Sequence, residues 1–395
     1  MARTVGTTVR GIRAPIINKG DDPVKIVVDS VIASMASEKF DLRDRDVIGI
    51  TESFVARAQG NYATLEDITR DVRSKFYGEI AVVFPILSRN RFSLVLKGIA
   101  MGVPKVYLIL KYPSDEMGNP LMDIEKMYEA GINPYTDVLD ERQYRKLFGE
   151  HVPHPFTGID YVSYYKGVAG NGNIEIILAN NPTIALNYAE EILTADVHTR
   201  HRTKRILKEA GAKKVYGLDD LLTKPVNGSG YNPEFGLLGS NKATETSIKL
   251  FPRDCKKVVD QVQQAILERT GKHVEVLIYG DGAFKDPRCK IWELADPVVS
   301  PGYTDGLRGT PSEIKIKYIA DNDLEGLEGS EKEEAIKERI KQKGKYLLGR
   351  DEALGTTPRQ LTDLLGSLCD LTSGSGDKGT PIVLVQGYFD DYAKE

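Results

Sequence analysis

Cysteine is scarce in this sequence, and long apolar runs are missing. The three cysteines, Cys255, Cys289 and Cys369, are far apart and odd in number, so they indicate neither a disulfide framework nor a CxxC metal pair. No run of about 18 apolar residues occurs, and the opening stretch MARTVGTTVRGIRAP lacks the apolar core of a signal peptide. We therefore expect a cytoplasmic protein that is neither exported nor bound in a membrane.

An excess of basic residues is also lacking. The formal net charge of the 395 residues is −4, which does not indicate a nucleic-acid-binding protein. The patterns GxSxG and GxxxxGK[ST] do not occur, so neither a serine hydrolase nor a P-loop enzyme is supported. What is present is 41% apolar and 28% charged residues, typical of a soluble protein with two or three domains.

The pattern of apolar residues predicts an α+β fold with three parts. Residues 1–75 alternate strands and helices, with Asp22 as a helix cap and Pro23 in the first turn. Residues 76–225 contain a βαβ unit, EIAVVFPIL to PKVYLILKYP, which predicts parallel pairing and a separate α/β layer. Its later stretch NPTIALNYAEEILTADVHTRHRTKRILKEAGA predicts one long helix or two. Residues 226–395 add a strand at SEIKIKYIA and a solvent-exposed helix at EGSEKEEAIKERIKQKGK.

One candidate site follows the apolar run HVEVLIY, where the chain reads GDGAFKDPR. The carboxylate of Asp281 at a strand end would suit magnesium or manganese, which prefer oxygen ligands. Lys285 and Arg288 could contact phosphate oxygens. The alternative is an ordinary turn in which Asp281 bonds its own backbone.

Two further loops offer polar groups at the ends of regular elements. The stretch SGSGDKGTP, from Ser373 to Pro381, suggests a nest of backbone N–H groups for an anion, or alternatively a flexible linker. In ITESFVARAQGN, Glu52 and Arg57 follow a short strand. They could serve a metal and a phosphate, or form a surface salt bridge.

A fourth loop, GLLGSNKATE, carries Ser240 and Asn241. These side chains could hydrogen-bond a base or a ribose, or belong to a simple turn. Two histidines, His151 and His154 in EHVPHP, are separated by proline and predict a loop. SRNR, from Ser88 to Arg91, lies at a helix start, and an unrelated α/β enzyme could have its active site there.

Taken in order, these loops and their flanks resemble the coenzyme F-420-0:L-glutamate ligase family of GTP-dependent γ-glutamyl ligases. The N-terminal stretch RGIRAPIINKGDDPVKIVVDSV is similar to the family's opening segment, and DRDVIGITESFVARAQGN to its next element. GLLGSNKATETSIKLFPRD resembles the Ser-Asn loop, VLIYGDGAFKDPR the strand with a metal-binding Asp, and LTDLLGSLCDLTSGSGDKGTPIVLVQGY the final helix, glycine-rich loop and strand. No motif in residues 76–225 matches the family. This segment resembles an insertion or enlargement that could bind the acceptor or a second subunit.

The resemblance implies a ligase core of mixed α/β structure and a homodimer. GTP (or ATP) would phosphorylate a carboxylate acceptor with magnesium or manganese, and a monovalent cation could take part. The acyl phosphate would then be attacked by the amine of L-glutamate. The acceptor would be coenzyme F-420-0, a folate or a similar small molecule, without nucleic acid or membrane. The alternative is a nucleotide-binding protein that has lost ligase activity.

The resemblance also implies particular site residues. The family has a metal-binding Asp before its Ser-Asn loop, but this sequence has Leu237 and Leu238 there, so Asp160 or Glu234 would have to replace it. The implied metal positions are Asp281, Gly282, Asp377 (or Ser375) and Asp160. The implied nucleotide contacts are Pro15, Ile16, Ile17, Glu52, Arg57, Ser240, Asn241, Gly374, Ser375, Gly376, Asp377, Lys378 and Gly379.

Overall fold

The sixteen strands that can be described belong to four sheets. The computed structural model describes residues 4–280, 284–285, 292–293, 299–344, 346–347, 349–354, 356, 359–373 and 377–393. The strands are β1 Thr8–Ile12, β2 Val47–Thr51, β3 Tyr62–Thr64, β4 Ile80–Val83, β5 Val106–Leu110, β6 Leu139–Asp140, β7 Ile174–Leu178, β8 Glu191–Thr194, β9 Lys214–Gly217, β10 Asn241–Lys242, β11 Ser247–Lys249, β12 Glu275–Gly280, β13 Phe284–Lys285, β14 Trp292–Glu293, β15 Val299–Tyr303 and β16 Ile382–Gln386.

Helices separate most of these strands, which makes the fold α+β as predicted. They are α1 Pro23–Glu38, α2 Glu52–Ala58, α3 Leu65–Lys75, α4 Ser93–Gly102, α5 Ile124–Glu129, α6 Glu141–Phe148, α7 Tyr161–Gly167, α8 Arg200–Glu209, α9 Cys255–Thr270, α10 Ile316–Tyr318, α11 Gly329–Lys341 and α12 Leu361–Ser373. In the described part of the chain, none of them is long and apolar enough to cross a bilayer.

A five-stranded sheet joins the two ends of the chain. Its order is β1-β16-β2-β12-β15, and only β2 and β12 run parallel. Helices α1 and α9 cover one face with an apolar core, while α12 packs on the other. Helix α1 begins where predicted, because the side chain of Asp22 accepts hydrogen bonds from the N–H groups of Val24 and Lys25 and Pro23 needs no partner.

A six-stranded sheet lies entirely within residues 80–217. Its order is β6-β7-β5-β4-β8-β9, and every pair is parallel except that of β6 with β7. The predicted βαβ unit is confirmed, since β4, α4 and β5 form it with a parallel register. The sheet starts at β4 and grows in both directions, so the carboxyl ends of the parallel strands share one edge, where such sheets commonly bind ligands.

The predicted long helix over residues 181–212 is wrong in its first half. Residues 182–187 form a 3-10 helix, and Glu191–Thr194 form strand β8 before α8 begins. Every residue of β8 is buried between β4 and β9. Pairing on both sides of this strand outweighs the local helical pattern.

The strand predicted at SEIKIKYIA is also wrong. Ile316–Tyr318 form one helical turn that continues as a π-helical turn to Asp323. Within these two turns only Ile319 is buried, so the alternating pattern does not correspond to one buried sheet face. The exposed helix predicted next is confirmed by α11, which buries only Ile336 and Ile340.

Helices α3 and α4 join the six-stranded sheet to the rest of the chain. A Cβ atom at Gly98 of α4 would lie 2.7 Å from Cγ2 of Ile68 on α3, and one at Gly102 would lie 2.7 Å from Cγ1 of Val72. The hydroxyl of Thr69 on α3 donates a hydrogen bond to the Gly98 carbonyl at 3.1 Å. The two helices therefore pack at a distance that only glycine allows.

We expect Gly98→Val to lower the free energy of unfolding by about 2 kcal/mol, because overpacking a filled interface usually costs 1–3 kcal/mol. Urea denaturation of purified protein measures this. Gly167→Val in α7 is the matched control, since no atom lies within 4 Å of a Cβ built there, and its unfolding midpoint should stay near that of the wild type. Equal midpoints for the two variants would contradict this packing.

Candidate functional site

One cleft lies where the five-stranded, three-stranded and six-stranded sheets meet. Its volume is about 1230 Å³. The core wall is formed by residues 14–17, 51–54 and 57, by residues 241–244, 247 and 249 of the three-stranded sheet and its turn, and by residues 370, 373 and 379–381. The middle wall is formed by residues 87–91 after β4, by Asn119, and by residues 154, 156, 157 and 161.

Several predicted nucleotide contacts meet on the core wall. Pro15, Ile16 and Ile17 line the cleft, and Ile16 is 83% exposed while Ile17 is buried. The guanidinium of Arg57 donates to the Ile17 carbonyl from Nε at 3.4 Å and from Nη2 at 3.3 Å. Glu52, Asn241 and Gly379 also line this wall. The structure thus brings together residues from four separate stretches of the sequence.

Strand β10 and the loop before it are hydrogen-bonded to the middle wall. The backbone N–H of Lys242 donates to the Asn90 carbonyl at 2.8 Å, and Nη1 of Arg91 donates to the Gly239 carbonyl at 3.1 Å. Asn241 faces the cleft. Ser240 is buried, its Oγ has no partner among the described residues, and it is not part of the cleft lining. Of this predicted pair, only Asn241 reaches the cleft in this structure.

A buried ion pair lies at the base of the core wall. Nζ of Lys249 on β11 is 3.0 Å from both carboxylate oxygens of Glu52 at the start of α2, and each side chain is about 95% buried. Burial lowers the pKa of Lys249, and Arg91 and Arg57 lower it further, whereas Glu52 opposes this change. The site therefore concentrates positive charge around one compensating carboxylate.

The position of Glu52 also depends on the end of β12. A Cβ atom at Gly280 would lie only 2.6 Å from Cγ of Glu52, so a larger residue there would displace the glutamate. Asp281 and Gly282, the next residues, lie outside the described part of the chain, as do Gly374, Ser375 and Gly376. Asp377 and Lys378 are described and exposed but are not among the residues that line the cleft.

Asp160, a predicted metal ligand, lies outside the cleft, and its carboxylate already accepts four hydrogen bonds. Arg145 binds its two oxygens at 2.6 and 2.9 Å, and the N–H groups of Val152 and Ser163 add bonds of 2.8 and 2.9 Å. Burial would raise the pKa of Asp160, but these hydrogen bonds and the charge of Arg145 outweigh it and lower the pKa to about 2. This carboxylate caps α7 and, in this structure, replaces no metal ligand of the cleft.

A metal centre does not emerge elsewhere from the described residues either. Among them, no group of three or more His, Cys, Asp or Glu side chains could hold a metal ion. Glu234, the other proposed replacement, is exposed and not part of the cleft lining. Leu237 and Leu238, where the resemblance implies a carboxylate, are 2% and 8% exposed and pack in the apolar core.

Sequence reasoning missed several side chains of the cleft, among them Lys249, His154 and Tyr161. Lys249 had a usable signal, since a lysine between Ile248 and Leu250 in a strand requires a partner when the strand is buried. His154 and Tyr161 had no such signal, because only the fold brings the 154–161 loop beside the loop after β4. The predicted loop at His151 and His154 is confirmed, but His154 is buried and lines the cleft.

We expect Lys249→Met to lower the free energy of unfolding by about 3–5 kcal/mol, because it leaves the Glu52 carboxylate buried without a counter-charge. The double variant Glu52→Gln/Lys249→Met should recover most of this loss. Urea denaturation measures both. Lys242→Met is the control, since Lys242 also lines the cleft but pairs with the largely exposed Glu245, and its effect should stay below about 0.5 kcal/mol. A double variant as unstable as Lys249→Met would contradict this account of the pair.

The Arg145–Asp160 pair predicts a pH-dependent stability. The pKa of Asp160 falls from 3.8 to about 2 on folding, so the stabilisation is complete above pH 4 and is lost as the pH falls toward 2. Asp160→Asn should therefore cost about 2 kcal/mol at pH 6, and less at pH 3. Urea midpoints of the two proteins at both pH values measure this. A difference that is constant with pH would show that the charge of Asp160 is not involved.

A family model described as F420-0:Gamma-glutamyl ligase matches residues 11–387 of this chain. The matched range includes residues 76–225, and it contains every residue that lines the cleft. No curated protein matches the chain.

Proposed function

This chain belongs to the F420-0:gamma-glutamyl ligase family, and on that basis we propose that it is a nucleotide-dependent γ-glutamyl ligase that joins L-glutamate to a carboxylate acceptor. The observation that carries the proposal is the cleft itself. Seven of the residues that the resemblance assigns to the nucleotide come from distant stretches of the sequence and line one wall of it. More cationic than anionic side chains line the cleft, and an excess of one sign of charge attracts ligands of the opposite sign.

The proposed reaction has two steps. An oxygen of the acceptor carboxylate attacks the γ-phosphorus of GTP or ATP, and the bond from that phosphorus to the bridging oxygen breaks, which releases the nucleoside diphosphate. The amine of L-glutamate then attacks the acyl carbon of the resulting acyl phosphate. The carbon–oxygen bond breaks, inorganic phosphate leaves, and the nitrogen loses a proton to form the amide.

Side chains of the cleft suit the charge that these steps develop. Arg57 is a positive group on the core wall beside the proposed nucleotide segment at residues 15–17, and Lys249 lines the same wall. Fixed cations aimed at a transferring phosphoryl group lower its barrier because they need no reorganisation. Glu52 is paired with Lys249 in this structure, so we propose that it positions the ammonium group and does not contact the nucleotide directly.

Magnesium or manganese remains part of the proposal on the resemblance alone. Asp281, Gly282 and Asp377 are its proposed positions, and the described residues do not by themselves form a ligand set. A divalent cation would neutralise charge on the phosphoryl group. We also propose a homodimer on the same basis, and GTP in preference to ATP.

A second candidate function is nucleotide binding without ligation. It is favoured by Leu237 and Leu238, because both side chains are buried in the core where the family has a metal-binding carboxylate. A folate as the acceptor, in place of coenzyme F-420-0, is a third possibility within the ligase reaction.

The test is an incubation with GTP or ATP, manganese or magnesium, L-glutamate, and a panel that contains coenzyme F-420-0 and folates. We expect one phosphate released for each glutamyl group added, measured by phosphate assay and mass spectrometry. Asp281→Asn should abolish metal-dependent turnover without a change in thermal unfolding. Nucleotide binding without turnover on any acceptor would support the second candidate. No nucleotide binding by calorimetry would refute both, and full activity of Asp281→Asn would refute the metal assignment.

A further inference from the structure

We propose that the middle wall is the acceptor-binding subsite, and that it takes an anionic molecule with an aromatic or planar apolar body. Arg89 would bind an anionic group of this molecule, and Phe156 would contact its apolar body. This inference rests on the proposed ligase function and assigns one of its substrates to residues 76–225.

The volume of the cleft leaves space for a second ligand. Sites for single small molecules usually measure about 300–1,000 Å³, whereas this cleft measures about 1230 Å³. The proposed nucleotide residues that line the cleft all belong to the core wall, and the middle wall carries none of them. A reaction between two substrates requires both in one cavity, so the unassigned wall is the place for the acceptor.

Hydrogen bonds from buried side chains fix the backbone of the loop that carries Arg89. The hydroxyl of Tyr165 donates to the Ile86 carbonyl and accepts from the Ser88 N–H, both at 2.8 Å. A carboxylate oxygen of Asp115 accepts from the Leu87 N–H at 2.8 Å. Tyr165 and Asp115 are buried. A loop backbone fixed in this way is preorganised, which reduces the conformational entropy that is lost when a ligand binds.

The charge of the lining indicates an anionic ligand. The cleft is lined by the cations Arg57, Arg89, Arg91, Lys242 and Lys249 and by the carboxylates Glu52 and Asp370, although the whole chain has a net charge of −4. Arg89 is exposed on the middle wall. It also lies close enough to Tyr161 to oppose the rise that burial causes in the pKa of that phenol.

Aromatic side chains form the other part of the middle wall. Phe156 is 49% exposed, although it lines a cleft, so a ligand could cover its apolar surface. The rings of Tyr161 and His154 meet edge to face, with centroids 5.8 Å apart. Both of these rings are almost fully buried, so they support the wall from behind, and Phe156 supplies the exposed apolar surface against which an aromatic or planar body can lie.

His154 fixes this aromatic group and leaves one donor without a partner. Its Nδ1 accepts from the N–H groups of Phe156 and Thr157 at 3.2 and 3.1 Å, so the ring proton of the neutral form lies on Nε2. Burial lowers the pKa of His154, which favours this neutral form. The buried Nε2 has no hydrogen-bond partner among the described residues. Because protein atoms cover Nε2, His154 holds the backbone of Phe156 and Thr157 in place and does not itself contact the ligand.

Equilibrium binding tests the inference without turnover. Coenzyme F-420-0 and folate are the probes, because both combine a planar ring system with negative charge, and GTP with manganese is titrated in parallel. We expect Arg89→Ala to weaken binding of at least one probe about 10- to 100-fold, the range for losing a hydrogen bond to a charged group. Phe156→Ala should also weaken it, Arg89→Lys should recover part of the loss, and GTP binding should stay within about twofold of the wild type. Arg202→Ala, an exposed arginine of α8 outside the cleft, is the control for loss of charge.

Each other outcome has a defined meaning. Unchanged probe binding in both Arg89→Ala and Phe156→Ala would overturn the inference. An equal loss for GTP and the probe would overturn it too, because the wall would then belong to the nucleotide site. No binding of either probe to the wild type at millimolar concentration would overturn the ligand class. Binding that depends on Arg89 in a protein without ligase activity would refute the proposed function and leave the subsite intact.

Discussion

The buried contact between Glu52 and Lys249 is the constraint on which the cleft depends. It joins the end of β2 in the five-stranded sheet to β11 in the three-stranded sheet. Glu52 can take this position only because residue 280 is a glycine and has no side chain there. Removing two charges from water costs several kcal/mol for each ion, and their attraction offsets this only when the geometry is good. A pair of this kind adds little net stability, so its position at the base of a cationic cleft is better explained by function.

The cleft also depends on how rigidly the six-stranded sheet is attached. Gly98 and Gly102 let α4 approach α3 closely, and Arg91 and Asn90 hydrogen-bond β10 and the loop before it. These contacts hold the loop after β4 against the three-stranded sheet, so that both walls line one cleft. A reaction between two bound substrates requires walls that are fixed relative to each other.

This arrangement gives residues 76–225 a role in the proposed chemistry. The loop after β4 lies at the carboxyl edge of their parallel strands, which is a common ligand position in such sheets. The sequence suggested two interpretations that involve different parts of the chain. One was an unrelated active site near Ser88–Arg91, and the other was the resemblance to a ligase. The family match over residues 11–387 shows that the alternative of an unrelated enzyme is wrong, and in the structure both parts of the chain line the same cleft.

Sequence alone determined the local features that depend on neighbouring residues. The Asp22–Pro23 helix start, the βαβ unit of β4, α4 and β5, and the exposed helix α11 all follow from short patterns that need no distant partner. Tertiary structure decided the features that depend on such partners. Strand β8 forms because β4 and β9 pair with both its edges. The carboxylate of Asp160 is not available as a metal ligand because Arg145 lies beside it and forms an ion pair with it. Lys249 is buried because Glu52, 197 positions away in the sequence, supplies the counter-charge. Burial of a charge is determined by what the fold places within about 3 Å, and no local pattern contains that information.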